Sequence, residues 1–84
     1  MIKILFFASI RDAVGIECHQ LAFQPSLKSV DDAISQCKVE LPTLVSALTS
    51  QPKIMFALNQ EIVRGDAPVN DGDEIALLPP VTGG

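Results

Sequence analysis

From Ile2 onward the chain alternates, with Ile2, Ile4, Phe6 and Ala8 on one side of an extended segment and Lys3, Leu5 and Phe7 on the other. Both sides carry apolar residues. After Gly15 a second run, 17–23, sets His19, Leu21 and Phe23 on one side and stops at Gln24-Pro25-Ser26, so the two early strands suggest a hairpin. The period then changes. Ser29 and Asp32 form an [ST]-x-x-[DE] capping signal, and Val30, Ala33, Ile34 and Cys37 recur at i, i+3, i+4, i+7, the buried stripe of an amphipathic helix. Pro42 suits the first turn of a second short helix with Leu41, Leu44, Val45 and Leu48 as its stripe, which Ser50-Gln51-Pro52 ends.

The remaining segments are shorter. Residues 54–58 read as a strand, Asn59-Gln60 as a tight turn in which Asn tolerates positive φ, and 61–64 as a short strand. A loop at 65–73 leads to 75–78, apolar enough to be central in a sheet, and Pro79-Pro80 cannot donate ladder hydrogen bonds. The order ββα(α)βββ predicts an α+β layer pair, one mixed sheet with helices packed on one face and the first strand beside the last. If Ile4, Phe6, Ile75 and Leu77 face the helices, alternation puts Leu5, Phe7 and Leu78 on the open face, where an apolar patch marks a partner surface.

Composition sharpens this picture. Eighty-four residues, 48% of them hydrophobic, form one domain spanning 1–84 with 79–84 expected as a flexible C-terminal tail. Such a domain buries only roughly 60–65% of its unfolded surface, so an enclosed reaction pocket is expected elsewhere. A net charge of -4 with Lys3, Arg11, Lys28, Lys38, Lys53 and Arg64 scattered along the chain opposes nucleic-acid binding. The apolar run after Lys3 is too short to span a membrane, and a cytoplasmic protein is expected. Cys18 and Cys37 lack a CxxC arrangement and read as two buried, reduced thiols, although a disulfide between them is open.

Catalytic machinery is hard to find. His19 is the single histidine, and no Ser or Cys has an evident base beside it. Asp71-Gly72-Asp73-Glu74 lacks the ligand spacing of a calcium loop and reads as an Asp-Gly turn, so no metal site is expected; Gly15, Gly65 and Gly72 stand alone, which excludes a phosphate-binding loop. What remains is the end, Pro79-Pro80-Val81-Thr82-Gly83-Gly84. Glycine has no Cβ, so a Gly-Gly thread fits a narrow channel and takes the φ/ψ that the channel imposes. Its carboxylate, with an ordinary pKa of about 3.5, resists nucleophilic attack until activated. An anhydride with AMP supplies a leaving group, which a sulfur donor displaces to give a thiocarboxylate or an amine displaces to give an amide. Four residues beyond the prolines reach at most about 13–14 Å, enough for a buried site on a neighbour.

These residues together resemble a known family. Phe6-Phe7-Ala8-Ser9-Ile10-Arg11 with Val14-Gly15, the Leu58-Asn59-Gln60 turn, Asp71-Gly72-Asp73-Glu74 and the Pro-Pro-Val-Thr-Gly-Gly end are similar to the small subunits of molybdopterin synthase, the MoaD-type sulfur carriers. The likeness spans essentially the whole chain and is strongest at its two ends. It implies the ubiquitin-like β-grasp fold. It further implies that Gly84 is adenylated by an ATP-dependent, MoeB-type activating enzyme, is thiocarboxylated, and with Gly83 enters a MoaE-type large subunit. There sulfur passes to cyclic pyranopterin monophosphate during molybdenum cofactor biosynthesis, with the catalytic side chains on the large subunit and no cofactor bound by this chain. The resemblance maps partner contacts onto Phe7, Arg11, Ile62, Leu78, Pro80, Val81 and Thr82, in a heterotetramer. Leu77-Leu78 departs from the aromatic pair frequent in the family, and Cys18-His19 has no counterpart there. A thiamin-pathway sulfur carrier, a lysine-linking protein modifier and a plain binding module are the alternatives.

Overall fold

The computed structural model describes residues 1–50 and 53–79. Within them the chain forms β1 (Ile2–Phe6), α1 (Ala8–Val14), β2 (Cys18–Leu21), α2 (Val30–Glu40), α3 (Pro42–Thr49), β3 (Met55–Leu58), β4 (Glu61–Val63) and β5 (Glu74–Leu78). The sheet order is β2-β1-β5-β3-β4. β1 runs antiparallel to β2 and parallel to β5, while β3 pairs antiparallel with both β5 and β4. The expected mixed sheet, with its first strand beside its last and the apolar β5 at its centre, is therefore present.

Alternation divides each strand between two environments. Ile2, Ile4 and Phe6 of β1, Leu21 of β2, and Ile75 and Leu77 of β5 turn inward with Ile10, Val30, Ala33, Cys37 and Leu44 from the helices, and all of these are almost wholly buried. Each large apolar side chain removed from water this way contributes about 1.5–3 kcal/mol. α2 begins as its sequence requires. Ser29 Oγ accepts from the Asp32 amide at 3.2 Å, while the Asp32 carboxylate accepts from the Ser29 amide at 3.2 Å and the Lys28 amide at 2.9 Å. At the other end of α2, Glu40 accepts from His19 Nε2 at 2.7 Å, tying the helix to edge strand β2. That bond, with a second from Gln36, holds the Glu40 carboxyl below its ordinary range.

The structure corrects the expected element order at one place. The alternation ends at Phe6, and α1 stands between the first two strands, so Ala8 belongs to a helix; the strands pair as expected, but a helix, not only a loop, links them. A helix of seven residues shows one apolar i, i+4 pair, Ile10 and Val14, too little to stand out against the strand pattern before it. Gly15 is its C-cap at φ 92 and donates its N–H to the Arg11 carbonyl at 2.8 Å.

Two further expectations need revision. In α3 the buried residues are Leu44 and Ala47, and Val45 is exposed, because α3 packs against α1 as well as α2 and turns its inner side toward both. Cys37 is buried as expected, but Cys18 is exposed, since it pairs with Leu5 and shares the side of the sheet away from the helices; both thiols are free. Asn59 and Gln60 both adopt left-handed backbone, φ 51 and 71, making the tight hairpin turn between β3 and β4.

Candidate functional site

The face of the sheet opposite the helices has no covering layer among the described residues, and its strand register arranges it in rows. Cys18, Leu5, Ala76, Ala57 and Ile62 lie side by side across all five strands. One step further toward the end of β5 come Met55, register partner of Leu78, and Phe7, whose amide continues the β1–β5 ladder by donating to Leu77 O at 3.3 Å. Toward the other end the same face carries Gln20, Lys3 and Glu74. The open face is thus polar where β5 begins and apolar where it ends.

Exposure gives the apolar end its meaning. Phe7 is 40% exposed, Met55 36% and Ile62 57%, with Leu5 and Leu78 half-buried beside them and the small Ala57 and Ala76 buried at the centre. Larger contiguous apolar surface is characteristic of contact sites on soluble domains. The sequence-predicted Phe7, Ile62 and Leu78 therefore meet on one face. Met55 joins them although it was not among the predicted site residues; the alternation of Met55 with Ala57 in β3 was the signal that could have found it.

Arg11 lies apart from these rows, on the exposed side of α1 one turn after Phe7. It borders a shallow depression of about 280 Å³ lined also by Asp12, Gly15, Ile16 and Glu17. Pro79 follows β5 half-buried at the apolar end of the sheet. Pro80, Val81, Thr82, Gly83 and Gly84, the remaining predicted site residues and most of the predicted tail, lie outside the described residues. Among those described, no group of three or more His, Cys, Asp or Glu could hold a metal, and no helix is long and apolar enough to cross a membrane.

The mixed sheet, the helices on one face and the strand order define a ubiquitin-like β-grasp protein. Comparison with known proteins agrees and goes further. A model of the ThiS family matches residues 4–84. The molybdopterin synthase sulfur carrier subunit of Escherichia coli (strain K12) is 38% identical over 85 aligned positions, covering 100% of both chains. Among solved structures, SAMP1 from Haloferax volcanii superposes with a TM-score of 0.82 at 25% identity, covering 99% of this chain and 98% of that one. A protein–protein complex of subunits 1 and 2 of molybdopterin-converting factor from Helicobacter pylori 26695 contains a chain that matches with a TM-score of 0.65 at 25% identity, covering 99% and 97%. The chain belongs to the ThiS family and, within it, to the molybdopterin synthase sulfur carrier subunits.

Proposed function

We propose that this protein carries sulfur on its C-terminal Gly84 for molybdopterin synthase, as the small subunit of that enzyme. The observation that carries this reading is the apolar end of the open face, Phe7, Met55, Ile62 and Leu78, lying where β5 leads out toward Pro79 and the Gly-Gly sequence. A partner seated on that face stands within reach of the tail. The full-length likeness to a named sulfur carrier supports the same reading, and the named complex of subunits 1 and 2 supports a large-subunit partner.

The chemistry starts from a carboxylate that is a poor acyl donor. A MoeB-type enzyme activates Gly84 with ATP, releasing pyrophosphate and leaving an acyl-adenylate; a sulfur nucleophile then attacks the carbonyl carbon and expels AMP, so that a C–S bond replaces the C–O bond. Gly83 and Gly84, without side chains, thread the thiocarboxylate into the large subunit, where its sulfur is given to cyclic pyranopterin monophosphate. Val81 and Thr82 contact the large subunit behind them, and the fixed φ of Pro79 and Pro80 limits freedom at the root of the tail. In this reading the chain's own contributions are docking, reach and the reactive terminus, and it binds no cofactor of its own.

The test is direct. Removing Gly84, or adding one residue after it, should abolish sulfur transfer in a purified synthase assay and leave the circular dichroism spectrum unchanged. Transfer retained by either variant rejects the proposal. Intact-mass measurement after incubation with ATP, a sulfur donor and the activating enzyme distinguishes the carrier from a modifier: a carrier gains the mass of one oxygen exchanged for sulfur, and a modifier appears as conjugates.

A further inference from the structure

We infer that the left-handed backbone at Ala8 is a positioning device that presents Phe7 on the docking face. This rests on the large-subunit reading above and deepens it. Ala8 has φ 50, a conformation that its Cβ makes unfavourable and that persists only where the surroundings over-determine it. Ala8 is itself exposed, so core packing does not account for it.

The demands come from Phe7, which serves two elements at once. Its N–H donates to Leu77 O at 3.3 Å, extending the β1–β5 ladder, and its carbonyl accepts from the Ile10 amide at 3.1 Å and the Arg11 amide at 3.3 Å, capping α1. Phe7 is fully extended, at φ -120 and ψ 151. One residue is then left in which to turn the chain from strand to helix, and positive φ at Ala8 makes that turn. The result is functional in location: Phe7 stays in the outward series Lys3, Leu5, Phe7 and is held beside Leu78 and Met55. Relaxing Ala8 to negative φ rotates the intervening peptide, which breaks either the ladder bond or the cap and takes the ring out of its row.

The experiment uses the full chain with Ala8→Gly and Ala8→Val, each with and without Phe7→Ala, and measures stability, Phe7 χ1 couplings by NMR, and affinity for a MoaE-type large subunit. Glycine pays no penalty at positive φ, so Ala8→Gly should raise the folded-to-unfolded ratio roughly two- to fivefold and keep the wild-type affinity. Ala8→Val, β-branched and resistant to positive φ, should weaken binding roughly tenfold or more. That loss should vanish in the Phe7→Ala background, and the Phe7 couplings of free Ala8→Val should average over rotamers. Destabilisation by Ala8→Gly, as in an ordinary helix, overturns the inference, and so does an Ala8→Val loss that persists without Phe7 or leaves its couplings unchanged. Should Ala8→Val not fold, Ala8→Gly decides. Absence of wild-type binding would reject the large-subunit reading, while the stability and coupling measurements on the free chain still judge Ala8.

Discussion

Cys37 lies fully buried on the inner side of α2, and burial, with the Glu40 carboxylate adding to it, pushes its thiol from 9.0 up to about 11. A thiol raised in the folded state keeps its full contribution below 9.0 and loses it as pH climbs toward 11, because the unfolded chain ionises first. The loss across that window should be about 2–3 kcal/mol, read from denaturant midpoints taken on either side of it. Cys37→Ala should lower stability overall but flatten this dependence, and equal slopes in the two proteins would reject the assignment. Cys18, exposed on β2, should meanwhile react with a thiol reagent in the native state, ahead of Cys37. The helical stripe marked Cys37 as buried in the sequence, but the exposure of Cys18 follows only from its strand pairing. Each sits among apolar and polar neighbours alike, and what distinguishes them is that Cys37 falls on a helical stripe while Cys18 pairs with the outward-facing Leu5.

Among the elements, those whose local rules agree with one another were legible. α2 has its capping box, its stripe and its length all pointing one way, and Asn59-Gln60 announced a turn through the tolerance of Asn for positive φ. α1 was hidden because it is held less by its own periodicity than by the junction at Phe7 and the cap at Gly15, and neither shows in an apolar pattern. The β3–β4 turn also carries a correctable defect. Asn59 is well suited to it: its Oδ1 accepts from the Glu74 amide and its Nδ2 donates to Asp73, both at 3.0 Å, which locks the turn onto the start of β5. Gln60 makes no such bond among the described residues and still holds φ 71. Gln60→Gly should therefore stabilise the protein by about 0.5–1 kcal/mol, a rise in thermal midpoint that calorimetry would register. An unchanged or lowered midpoint would show that the turn carries no removable strain.

At the scale of the whole molecule, one side of the sheet faces a core and the other is uncovered among the described residues. That division is legible in the sequence, since Leu5, Phe7 and Leu78 follow from Ile4, Phe6 and Leu77 by alternation alone. The register was not, because the row from Cys18 to Ile62 depends on which strands neighbour one another; the alternation in β3 puts Met55 on the face of Ala57, and the register puts it beside Leu78. Ile62→Asp places a charge where the native side chain is 57% exposed, so the fold should tolerate it. Large-subunit affinity should fall by about 2–4 kcal/mol as the carboxylate is desolvated without a partner. Val39→Asp, at a residue 73% exposed on α2, should leave the affinity unchanged in the same titration. Equal effects from the two substitutions would separate the open face from docking.

The place of β5 has a mechanical consequence. It is hydrogen-bonded along both flanks, to β1 running the same way and to β3 running the opposite way. A tug on whatever follows Pro79 loads these bonds in shear, all together rather than one after another. Force applied beyond Pro79 is thus shared across both flanks of β5, and the body that holds it resists unzipping.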